Sequence, residues 1–106
     1  MKKKWRRWEV LLPLQYNDKR AVPMAVLGEA VLEIVEQFEA ASYETQRIQG
    51  YWRHQGVVIR DELSRLVVDL PDTPMNRKWM KQFKERWRVR LKQIELWMVS
   101  YRIELE

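Results

Sequence analysis

The chain has 106 residues, 46% hydrophobic and 33% charged, which is the balance of one soluble globular domain and excludes a disordered chain. It contains no cysteine, so disulfides, thiolate metal centres and cysteine nucleophiles are excluded, in keeping with a reducing, cytoplasmic setting. A formal charge of +5 tilts the expectation towards an anionic partner.

The N-terminal MKKKWRRW opens like the charged region of a signal peptide. Pro13 and further charges interrupt the following apolar run too early for a targeting core or a membrane span. Residues 1–4 therefore read as a basic tail on a single domain covering 1–106. A first strand is expected from near Trp5 to Leu14, with Trp8, Val10, Leu12 and Leu14 on one face and Trp5 and Leu11 on the other. The polar run Tyr16 to Arg20 is a loop. From Pro23 the period changes: Leu27, Ala30, Val31, Ile34, Val35 and Phe38 share one helical face, with Glu29, Glu33 and Glu36 opposite.

Ser42 to Trp52 is polar enough for an edge strand, and Arg53-His54-Gln55-Gly56 is a turn in which Gly56 can take positive φ. The chain then resumes extended from Val57. A bulge is expected at Asp61-Glu62, and a third strand over Leu63 to Leu70 with Leu66, Val68 and Leu70 inward. Thr73-Pro74 is a helix start, N-cap then first-turn proline, and Trp79, Phe83, Trp87 and Leu91 step by four along the second helix. The last strand is expected over Ile94 to Leu105. Trp97, Val99, Tyr101, Ile103 and Leu105 form its inward face; Ile94, Leu96 and Met98 form its outward one. This order, strand-helix-strand twice, makes a ferredoxin-like α+β fold: a four-stranded antiparallel sheet with both helices on one face. The fold hosts many functions and supplies none.

Three features bear on function. GYWRHQGVVIRDEL holds the only histidine, His54, with Asp61 and Glu62. Adjacent acids on a strand point to opposite faces, so the segment reads as a hairpin tip without a metal, and no cofactor or catalytic residue is expected anywhere in the chain. Helix two is basic. Lys78, Lys81, Lys84, Arg88 and Lys92, with the N-terminus and its tryptophans, form the candidate polyanion surface. The competing account is that the acids of helix one neutralise part of this charge. The third feature is the sheet face without helices, where Trp5, Leu11, Val67, Ile94, Leu96 and Met98 have the parity to form an apolar interface.

The spacing Gly50, Trp52, Gly56, then Asp61 or Glu62, followed by VVDLPD and RLKQIELWMVSY, resembles the central hairpin of small bacterial proteins that lack an assigned activity. The resemblance covers about the last two thirds of the chain, implies the ferredoxin-like fold and carries over no site residue. The expected function is a non-enzymatic binding or assembly module, dimeric through the open sheet face. The alternatives are a nucleic-acid binder using helix two and the N-terminus, and a small-molecule binder or enzyme with its pocket at a dimer interface.

Overall fold

The structure, a computed structural model, describes residues 3–106. Its elements are β1 (Trp5–Pro13), α1 (Met24–Phe38), β2 (Ser42–His54), β3 (Val57–Pro71), α2 (Pro74–Arg90) and β4 (Met98–Ile103). The strands form one antiparallel sheet in the order β2-β3-β1-β4.

Alternation on β1 and β3 turns Trp8, Val10, Leu12, Leu66, Val68 and Leu70 to one side, where they are buried. Leu27, Ala30 and Ile34 of α1 and Met80, Phe83 and Trp87 of α2 cover them. Between the helices Phe38 meets Trp79 edge-on at 4.9 Å, and Trp79 stacks on Phe83 at 5.6 Å. These arrangements suit the ring quadrupole. One polar side chain enters this core, Ser64. Its hydroxyl accepts from the Tyr43 hydroxyl at 2.7 Å and donates to the Leu12 carbonyl at 3.4 Å, so nothing polar there is left unmatched.

Thr73 caps α2 by accepting from the Asn76 N–H at 3.1 Å, with Pro74 first in the helix. At the start of α1, Pro23 stands at the N-cap position, one residue ahead of the helix. At the far end of α2 the Lys92 N–H bonds the Val89 carbonyl and Lys92 itself takes φ 56, which stops the helix. The chain then runs irregularly to Trp97 and drops Leu96 into the core.

Three expectations need correction. β3 runs unbroken through Asp61-Glu62; the irregularity lies on β2, where Thr45, Gln46 and Arg47 stand against Ser64 alone, between the pairs Glu44–Arg65 and Ile48–Leu63. β2 continues to His54, so the turn is only Gln55-Gly56, both at positive φ as a two-residue hairpin requires. The third concerns β4, which is shorter than expected and opposite in parity.

Directly opposed residues share a face, and Trp8 opposes Ser100 while Val10 opposes Met98. Met98 and Ser100 therefore point to the helices. Leu96 is 1% exposed in the core and Met98 packs against it, so neither belongs to the open face. Ile94 lies outside the strand, on the irregular link, and is 54% exposed. The open side of β4 carries Val99, Tyr101 and Ile103. Apolar residues occupy both parities of this segment, so alternation could not choose between them; pairing with β1 does.

Candidate functional site

The helix-free face is best followed in rows across β4, β1 and β3. Ile103, Trp5 and Pro71 make the first row; Tyr101, Arg7 and Asp69 the second; Val99, Glu9 and Val67 the third. In the fourth, Leu11 opposes Arg65 and its N–H bonds the Trp97 carbonyl at 3.0 Å. Trp5, Leu11 and Val67 thus occupy the face the sequence assigned them, while Val99, Ile103 and Trp97 replace Leu96 and Met98. Trp97 is 60% exposed, a large cost in apolar surface left in water.

This face is not uniformly apolar. Arg7 donates to both Asp69 oxygens, at 2.7 and 3.0 Å. Arg65 bridges Glu9 at 3.3 Å and Glu44 at 3.1 Å. The Arg7 guanidinium is held charged by Asp69, and the Tyr101 hydroxyl is pushed up in pKa, first by its hydrogen bond to Glu9. These groups line a shallow cavity of about 450 Å³. Its charges answer one another. The ionic band divides the face into a small apolar end at Trp5 and Ile103 and a larger one at Leu11, Val99 and Trp97.

The larger end continues off the sheet. From Gln49 to Asp61, β2 and β3 pair as strands only with each other, forming an arm that gives the molecule a long dimension of 49 Å against 30 and 24 Å. Ile48 opposes Leu63 and Trp52 opposes Ile59, extending the parity of Leu63 along one side of the arm. A Cβ at Gly50 would stand 2.8 Å from Leu63 Cδ1, so any larger residue there would make the end of the Leu63 side chain move aside. Tyr51, Val57 and Val58 are exposed near the tip. A lone two-stranded ribbon is marginal in water, so this arm has more to gain from cover than any other element.

GYWRHQGVVIRDEL forms that arm, and its polar groups find local partners. Trp52 Nε1 donates to Asp61 at 2.7 Å, Arg60 bridges Glu62 at 3.0 Å, and the His54 ring leans on Trp52 at 5.5 Å. Among the described residues no three His, Cys, Asp or Glu side chains are placed to hold a metal ion.

The basic residues of α2 divide. Arg86 pairs with Glu33 and Arg90 with Glu29, joining the two helices, while Trp87 Nε1 donates to Glu33 at 2.9 Å. Arg88 holds Glu85, and Lys84 bridges Glu95 at 2.9 Å. Hydrogen bonds from Arg88 and Arg90 hold the carboxyls of Glu85 and Glu29 below their ordinary pKa, and both guanidiniums are raised in return. Of the candidate polyanion set, Lys78, Lys81 and Lys92 make no ion pair among the described residues; Lys84 and Arg88 do. No helix of the described chain is long and apolar enough to cross a membrane.

No family model and no curated protein matches this chain. Among solved structures, a phage SAM lyase in complex with S-methyl-5'-thioadenosine superposes with a TM-score of 0.71 at 12% identity, over 99% of this chain and 93% of that one. CutA1 from Oryza sativa gives 0.68 at 9% identity, over 98% and 84%. The divalent cation tolerance protein Cut A1 from Thermus thermophilus gives 0.66 at 16%, over 96% and 86%. At such identities the likeness establishes the fold, which is ferredoxin-like.

Proposed function

We propose that this ferredoxin-like chain is a binding and assembly module that self-associates, as a dimer, through the helix-free face of its sheet. The supporting observation is the apolar run of Val99, Trp97, Leu11 and Leu63, which continues into Ile48, Trp52 and Ile59 of the arm, with Trp97 exposed and the others half-buried. A contiguous apolar surface of this kind, rich in tryptophan, marks an interface. The ion pairs around Arg7 and Arg65 then form a self-satisfied polar band within that face, giving register more than affinity. The lack of cysteine fits assembly in a reducing cytoplasm.

The test is molar mass by light scattering over a wide concentration range. The wild type is expected to run as a dimer, and Trp97→Glu as a folded monomer. A wild type that stays monomeric at high concentration discards the reading. The nucleic-acid alternative is weaker than the sequence alone implied, because only Lys78, Lys81 and Lys92 of its five residues keep an unneutralised charge among the described residues.

A further inference from the structure

At the end of the sheet opposite the arm, the helix side of β1 and β4 is polar. Arg6 opposes Arg102 across the two strands, and like charges so placed repel. Asp72, at the β3–α2 junction, supplies the counter-charge with a side chain only 3% exposed. Its oxygens are already engaged. Arg77 donates to both, at 2.7 and 2.9 Å, and Arg6 approaches to 3.3 Å. Arg102 is left at 3.8 Å from Asp72 with a largely exposed guanidinium. Three guanidiniums thus share one carboxylate. The Asp72 pKa, pushed down to about 2 by its arginines, with Arg77 hydrogen bonding first, is in keeping with that excess of positive field.

Arg102 also lines a cavity of about 570 Å³ that wraps the sheet end. Lys3, Lys4 and Arg102 contribute its cations; Trp5, Ile103 and Leu105 contribute an apolar wall. Its one lining carboxylate, Glu104, is exposed and makes no ion pair among the described residues. The Lys3 ammonium lies over the Trp5 ring, 5.5 Å from its centroid, so one face of that ring already carries a cation. The volume falls in the small-ligand range, in a groove about as open to solvent as the shallow cavity on the helix-free face.

We propose that this cavity binds a small phosphate-bearing anion with a flat body, of the mononucleotide class. Arg102, on the helix side and with donors left over from Asp72, takes phosphate oxygens in a charge-assisted pair, Lys3 and Lys4 add point charge, and the base reaches round the sheet end to Trp5 on the helix-free face. The site is distant from the Trp97 end of the open face, and its Trp5 and Ile103 wall is the small apolar end of that same face.

Titration calorimetry of the full chain at physiological ionic strength, with ATP and with inorganic pyrophosphate as probes, tests this. Saturable binding of ATP is expected, weakened about tenfold to a hundredfold by Arg102→Gln, the range for a lost hydrogen bond to a charged group. Arg102 is exposed, so the variant keeps its fold; Lys4→Gln, also at an exposed side chain, is expected to weaken binding as well. Arg53→Gln removes the same charge at the arm tip and is expected to change nothing. Pyrophosphate binding that shares the Arg102 dependence supports the phosphate site, and tighter binding of ATP that is lost in Trp5→Ala supports the base on Trp5. No saturable binding, or equal weakening by Arg53→Gln and Arg102→Gln, overturns the proposal.

Discussion

Leu96 and Val99 stand three residues apart near the chain's end, yet they answer to different solvents. Leu96 is enclosed by the core, so Leu96→Glu places an unpaired charge there and is expected to abolish the cooperative unfolding transition. Val99 opposes Glu9 and Val67 lies on the other side of that strand, all on the helix-free face. Val99→Glu is expected to leave far-ultraviolet circular dichroism unchanged and to dissociate the dimer. A folded, dimeric Leu96→Glu would refute the assigned parity. Ser64 gives a finer probe. Replacing it with Ala leaves the Tyr43 hydroxyl without its acceptor in a half-buried position, and a loss of about 1–2 kcal/mol is expected by urea denaturation. Tyr43→Phe in the same background is expected to recover part of that loss, because no hydroxyl then lacks a partner.

At the scale of elements, the sheet proper and the arm differ in what holds them. β1 is paired on both sides and covered by helices, whereas the arm has two strands and no layer over it. Amide hydrogen exchange is therefore expected to be fast over residues 49–61 in monomeric Trp97→Glu. In the wild type the same amides are expected to slow if self-association covers the arm, and equal rates in both would separate the arm from the proposed interface. Much of this layout was legible beforehand. The three-four spacing of α1 and the Thr73-Pro74 start of α2 are local signals, with their physics inside a few residues. The β2 bulge left no such mark, because Thr45, Gln46 and Arg47 are polar on both faces of an edge. The β4 parity was hidden for a different reason. Ser100 and Arg102 look like solvent-facing residues until Arg6 and Asp72, distant in sequence, are brought beside them. Of the six residues assigned to the open face, Trp5, Leu11 and Val67 therefore lie on it, whereas Leu96 and Met98 turn to the core and Ile94 lies off the strand.

For the whole molecule, charge sets the response to pH and salt. The folded-state pKa of Asp72, about 2, lies below its ordinary 3.8, so its ion pairs contribute stability that is complete above about pH 4. That contribution falls as pH drops through 3.8 towards 2, where the folded state also takes up the proton. The urea midpoint is expected to decline over this window, and Asp72→Asn to lower it at neutral pH while flattening the decline. A variant whose acid profile overlays the wild type would show that Asp72 is not the group concerned. Salt probes the other side of α2. Any polyanion binding by Lys78 and Lys81 is expected to be weak, with a log–log salt slope that Lys78→Gln with Lys81→Gln reduces by roughly two units of 0.9 on duplex. Submicromolar affinity at physiological ionic strength, abolished by that pair, would favour the nucleic-acid reading over assembly.

The arm has a further consequence for how the molecule moves through liquid. The radius of gyration is 14.6 Å, whereas about 13 Å is expected of a compact chain of this length. Friction follows the long axis. A solitary 13.1 kDa copy therefore diffuses like a heavier sphere yet sediments like a lighter one, and tumbles more slowly end over end than about its own length. Two copies that tuck their arms over one another would shed much of that drag. Doubling the mass would then raise the frictional coefficient by less than it does for a pair of smooth spheres, so the shape factor from sedimentation velocity reports whether the arms have folded in.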